Sequence, residues 1–192
     1  MQLPEPATVS RILVIRMSSI GDIILTTPLL RALKQAFPQA SITFIIKKQY
    51  AALLEGSPLV DELIAFDKSE GFGGLRRLKH TLKQRKYDLF LDIHGSLRSR
   101  YLRAGLGVRY AASYPKYLFR RYMLIFFRIN LYNNIMPVYL RYFETVKRLE
   151  VGYDGRGTEI HVPDAILGEV RASLETLGRR KDPLLVVICP SA

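Results

Sequence analysis

The sequence predicts an α/β fold, a Rossmann-like parallel sheet with helices on both faces. Three observations point to it. Short β-branched runs recur along the 192 residues, helix-period runs separate them, and the first of each is joined by a small-residue turn, Met17-Ser-Ser-Ile-Gly-Asp22. Strands that alternate with helices build parallel sheets covered on both sides, because each crossover lays a helix on a face.

The elements follow in order. The run 11–16, Arg-Ile-Leu-Val-Ile-Arg, is the first strand, and the helix expected over 23–37 places Ile23, Leu30, Leu33 and Phe37 on one face. Pro28 must kink that helix or mark the start of its regular part, since it cannot donate a hydrogen bond. Further strands are expected at 41–46, 62–66, 87–92, 109–112, 158–162 and 184–189, and helices at 49–55, 75–85, 97–106, 138–149 and 164–177. Gly71-Phe-Gly-Gly74 reads as a flexible turn, and 151–157, with three glycines, as the clearest linker. The expected organisation is a tail over 1–10, one domain over 11–180, and in 181–192 the first strand of a further domain. A strand running into Pro190-Ser-Ala192 has no following helix to complete a right-handed crossover.

With 48% apolar residues, the chain can bury a substantial core. Cys189 is its single cysteine, so no disulfide framework is possible, and a buried thiol in a reducing compartment is expected. The first ten residues carry two prolines and no apolar stretch, which does not read as a secretion signal. The apolar stretch 123–131 is broken by Arg128 and Asn130 and falls well short of the ~20 residues needed to span a bilayer.

The formal net charge is +12 and much of it is local. Between Asp92 and Glu144 there is no acidic residue, while arginines and aromatics crowd the same window. Such a field attracts anionic partners. Within it, 115–130 mixes Lys116, Arg120, Arg121 and Arg128 with Tyr117, Phe119, Tyr122, Phe126 and Phe127, the composition of an interfacial segment. A core helix edged by arginines is the competing reading. Nucleic acid is not an expected partner, because no recognised binding motif is present and the aromatic run is as aliphatic as it is basic.

Chemistry is expected where the first and fourth strands end, since ligands of open α/β sheets bind at the carboxyl edge. Spacing alone assigns Asp22 first to helix capping, because aspartate before a helix accepts free backbone N–H groups. Ser18 and Ser19 offer hydrogen-bond donors and Gly21 allows close backbone approach, though a tight turn has the same composition. After the fourth strand come Asp92, His94 and Ser96, with Arg98 and Arg100 as guanidinium forks suited to phosphate. A solvated basic face explains those arginines equally well. Neither a Gly-x-Gly-x-x-Gly turn nor a Walker motif follows the first strand, and three histidines with one cysteine do not make a metal site, so no metal or bound cofactor is expected.

Taken together, several segments resemble the lipopolysaccharide heptosyltransferases, glycosyltransferase family 9. They are Ser18-Ser-Ile-Gly-Asp22, Thr27-Pro-Leu-Leu-Arg-Ala-Leu33, Phe37-Pro38, Tyr87-Asp-Leu-Phe-Leu-Asp-Ile-His-Gly-Ser-Leu-Arg-Ser99, and Arg141-Tyr142 with Leu149. The resemblance implies the N-terminal, acceptor-binding half of a GT-B glycosyltransferase, with Asp22 as the catalytic base. It implies heptose transfer from ADP-heptose to the lipopolysaccharide inner core, with the donor held by a C-terminal domain this chain lacks. It also implies a cytoplasmic protein, peripheral on the anionic inner face of the inner membrane, and a chain inactive alone. Two departures stand out: Pro137 occupies the place of a family histidine, and Ser191 that of a glycine in the strand opening the second domain. The alternative is a non-catalytic module that binds anionic lipid or the lipopolysaccharide core.

Overall fold

The computed structural model describes residues 4–115, 117–132 and 136–176. Five strands, β1 (Arg11–Ile15), β2 (Ser41–Lys47), β3 (Glu62–Phe66), β4 (Leu89–Asp92) and β5 (Tyr110–Ser113), form one sheet in the order β3-β2-β1-β4-β5. Every pair is parallel, with Val14 opposite Phe44 on one side and Leu91 on the other. The order reverses at β1, so the crevice between the chains leaving β1 and β4 is the topological switch point.

The helices are α1 (Ile20–Ile24), α2 (Thr27–Ala36), α3 (Gly71–Arg85), α4 (Leu97–Arg103), α5 (Leu118–Phe127), α6 (Val138–Phe143) and α7 (Asp164–Thr176). The central strand β1 is buried on both faces. Ile12 and Val14 pack with Leu29, Leu30, Leu33 and Tyr142, while Leu13 and Ile15 pack with Leu75, Leu82, Phe90 and Leu102. This two-sided burial explains why its sequence reads as a continuous apolar run. Contacts divide the chain into two units, Met1–His161, which contains the sheet, and a second from Val162 onward, which contains α7.

Several expectations need correction. The single helix over 23–37 is two helices, broken where the Thr26 hydroxyl donates to the Ile23 carbonyl at 2.6 Å; Pro28 lies in the first turn of α2, where its missing N–H costs nothing. Gly71-Phe-Gly-Gly74 is no flexible turn but the start of α3. The helix over 49–55 is a 3₁₀ segment, Lys48–Leu53, and that over 138–149 stops at Phe143, with a short 3₁₀ turn at Lys147–Leu149.

No strand forms at 158–162. The buried Arg31 on α2 holds the approach to that stretch as an irregular strap. Its Nε and Nη2 reach both carboxylate oxygens of Asp154 at 2.5 and 2.9 Å, Nη1 reaches Glu159 at 2.9 Å, and Nη2 also donates to the Gly157 carbonyl. The Glu159 N–H donates to the Thr27 hydroxyl at 3.0 Å, so backbone that would pair in a ladder is spent on α2. Lys116, the strand over 184–189, Cys189 and Pro190-Ser-Ala192 lie outside the described residues.

Candidate active site

The turn after β1 carries Asp22 into the crevice. Ser19, not Asp22, is the N-cap of α1, and Asp22 is the third helical residue, whose carboxylate reaches back to the cap in a capping box. Its Oδ2 accepts from the Ser19 N–H at 3.2 Å and the Ser19 hydroxyl at 3.0 Å. The same oxygen lies 2.5 Å from Nη2 of Arg16. The side chain of Asp22 keeps a third of its surface exposed, whereas that of Arg16 keeps 8%. Burial pushes the Asp22 carboxyl up, but the Arg16 hydrogen bond, the Ser19 N–H and the Arg16 charge outweigh it and hold the group below the usual carboxylate range. The carboxyl is therefore ionised at neutral pH, a state in which it can receive a proton.

Ser18 is half-buried and joined to Ser19 by a cis peptide. Gly21 is exposed, and a Cβ added there would meet no atom within 4 Å. Packing does not require glycine at this point, and its absence of a side chain leaves the surface beside Asp22 open to close approach.

After β4 the polar groups turn inward. Asp92 is fully buried; its Oδ1 accepts from the N–H groups of His94 at 3.1 Å and Gly95 at 2.6 Å, and its Oδ2 from the Ser99 hydroxyl at 2.8 Å. Ser96 caps α4 and exchanges hydrogen bonds with Ser99. The structure thus gives Asp92 and Ser96 the work of shaping the loop that carries half-buried His94. Arg98 and Arg100 are exposed on α4, and Arg98 walls an apolar cleft of about 290 Å³ with Phe72, Leu75, Leu97 and Tyr101. Arg120, Arg121 and Arg128 are exposed with α5, whose Phe119, Tyr122, Ile125, Phe126 and Phe127 are each at least 59% exposed. Among the described residues no cluster of three metal-ligating side chains occurs, and no helix is long and apolar enough to cross a membrane.

Sequence reasoning passed over Arg16 as a site residue. Besides Asp22, its guanidinium donates from Nη1 to the Ile93 carbonyl at 2.5 Å and lies 5.5 Å from the centre of the Tyr142 ring. The available signal was a cation ending an otherwise apolar strand immediately before the Ser-Ser-Ile-Gly-Asp turn.

No family model matches the chain. It is 35% identical over 92 residues to lipopolysaccharide heptosyltransferase 2 of Salmonella typhimurium, an alignment covering 46% of this chain and 26% of that protein. It is 27% identical over 97 residues to the lipopolysaccharide core heptosyltransferase OpsX of Haemophilus influenzae, covering 50% and 28%. Among solved structures, the glycosyl transferase family 9 protein of Veillonella parvula superposes with a TM-score of 0.72 at 25% identity, over 89% of this chain and 51% of that one. Over about half its length, the chain is homologous to lipopolysaccharide heptosyltransferases. The fold likeness extends to E. coli heptosyltransferase WaaC, solved with ADP-2-deoxy-2-fluoro heptose, at a TM-score of 0.58, 16% identity and coverage of 78% and 51%. The chain spans about half the length of the solved structures it matches.

Proposed function

We propose that the chain supplies the acceptor-binding part of a family 9 heptosyltransferase, with Asp22 as the general base and a separate domain holding an ADP-heptose donor. The observation that carries this reading is the Asp22 carboxylate at the switch-point crevice, ionised, partly exposed, and held through one oxygen only. In the transfer, a hydroxyl of the lipopolysaccharide core passes its proton to Oδ1 of Asp22 and its oxygen attacks the anomeric carbon of the heptose. The bond from that carbon to the diphosphate breaks, and the nucleotide diphosphate leaves with the electron pair, inverting the configuration. No resident cofactor takes part in this scheme. Ser18, Ser19, Gly21 and the His94 loop frame the acceptor, and Arg98 and Arg100 face its phosphates.

The test is Asp22→Asn in this chain assayed with its donor-binding domain. Turnover is expected to fall ~10²–10⁴-fold with little change in acceptor binding. The variant also loses the charge facing Arg16, at a cost of about 1–3 kcal/mol in stability. Normal turnover in a folded Asn variant removes Asp22 as the base.

The exposed apolar and basic surface of α5 favours seating on the anionic cytoplasmic face of the inner membrane, where each basic residue near the surface contributes about 1 kcal/mol. Charge reversal at Arg120 and Arg121 is expected to weaken sedimentation with anionic vesicles, and added salt to do the same. Equal binding to neutral and anionic vesicles defeats the electrostatic part. Lipid binding by a chain that stays inactive with a donor domain supplied favours the non-catalytic module instead.

A further inference from the structure

We infer that Arg16 is a positioning residue for the transfer reaction, its single guanidinium locking the Asp22 turn to the loop after β4 and fixing which carboxylate oxygen meets the acceptor. The inference rests on the reading of Asp22 as the base and goes beyond it to the device that aims that base.

A guanidinium taken almost entirely out of water carries a desolvation penalty that only close partners offset. At 7% exposure Arg16 occupies a place in the packing that an apolar side chain of similar length could fill. What an apolar side chain could not do is join three elements at once. Nη2 meets Asp22 Oδ2 at 2.5 Å on α1, Nη1 meets the Ile93 carbonyl at 2.5 Å beyond β4, and Cζ lies over the ring of Tyr142 on α6, 5.5 Å from its centre. Tyr142 is itself fully buried, with Tyr114 edge-on at 5.3 Å. The fork therefore spans the switch point, with one arm on each of the two loops that frame the crevice.

The arrangement has a consequence at atomic level. Oδ2 of Asp22 receives Arg16 Nη2, the Ser19 N–H and the Ser19 hydroxyl, three donors on one oxygen. A further proton at Oδ2 would have to displace one of them. Oδ1 is left to accept the hydroxyl proton, and Arg16 sets its direction by anchoring the other end of the carboxylate. Among the described residues, the charged and titratable groups around the Arg16–Asp22 pair, which joins the residue just after β1 to α1, are Tyr142 of α6, whose hydroxyl burial pushes up and keeps neutral, and Tyr114 and Arg141 beside it. On the β4 side Arg16 meets a backbone carbonyl, and His94 is the next residue along.

Two variants and two readouts test the role. In the 192-residue chain, the carboxyl carbon of Asp22 is titrated by NMR in the wild type, Arg16→Lys and Arg16→Met. Loss of the guanidinium in Arg16→Met should raise the Asp22 titration midpoint by one pH unit or more, while Arg16→Lys, which keeps charge but has no fork to reach both loops, should raise it less. With the donor domain supplied, both variants should lower kcat by ~10–10²-fold at little cost in acceptor KM, the effect of a misaimed group. The acid limb of the kcat–pH profile should move to higher pH in Arg16→Met. A purely structural arginine would lower the melting temperature without moving that limb. An unshifted Asp22 titration in folded Arg16→Met overturns the inference, and so does wild-type kcat in folded Arg16→Lys, which decides the matter if the methionine variant fails to fold. If Asp22→Asn proves active, the base assignment fails while the NMR titration still reports whether Arg16 governs the carboxylate.

Discussion

Two aspartates stand at the carboxyl edge of adjacent strands, one inside a serine-capped helix and one shortly before another, and the protein uses them in opposite ways. Asp22 after β1 is a third exposed and makes its contacts through one oxygen; Asp92 at the end of β4 is fully buried and its two oxygens accept three hydrogen bonds. Position at the switch point is therefore insufficient to make a carboxylate reactive. What separates them is whether the protein's own donors leave an oxygen over.

The comparison breaks most visibly at Asp92. Asp92→Ala leaves the buried Ser99 hydroxyl and the part-buried N–H groups of His94 and Gly95 without this acceptor, and at about 1–3 kcal/mol for a buried unsatisfied group the loss should reach about 2–3 kcal/mol. Asp22→Ala should cost less, because water reaches its turn. Urea denaturation of the pair checks the order, and an Asp92→Ala chain as stable as wild type would show that the β4 loop does not depend on its carboxylate.

Acid sharpens the same contrast with a smaller effect. Asp154, held far below the usual range first by the Arg31 hydrogen bonds, and Asp22 both bind protons less readily folded than unfolded. Such groups contribute stability that is fully present above the unfolded carboxylate value of about 3.9 and is lost as pH falls through the lower folded values. Melting temperature should be nearly flat from pH 7 to 5 and fall below about pH 4. Asp154→Asn should flatten that fall, and an unchanged slope would mean that the Arg31 ion pair forms equally in the unfolded chain.

The fold was legible because its signals are local. β3 lies where the apolar run ending at Phe66 puts it, the alternation of strands and helices yields the parallel sheet, and Pro28 marks the first turn of α2. The site was legible only in outline. Asp22 lies on the crevice edge as its place after the first strand suggests, but its rank as the third helical residue, and not the cap, depends on where Ser19 turns the chain. Arg16 and Arg31 were illegible for one shared reason. A cation at a strand end or mid-helix looks solvated in sequence, and its partners, a carbonyl 77 residues away and acids 123 and 128 residues away, are set by tertiary packing. The glycine-rich stretch that reads as a loose linker is tied down by those same acids.

That strap bears on how the protein can be cut and rejoined. The sheet unit ends at His161, beyond Asp154 and Glu159, so both counter-charges of Arg31 belong to it although the last strand among the described residues is finished by Ser113. A boundary drawn at residue 150, where the regular elements of the sheet unit stop, would strand a buried cation inside α2, the helix that follows the one carrying Asp22. A splice placed after residue 161 keeps that charge neutralised and gives any module grafted there a fixed point of departure.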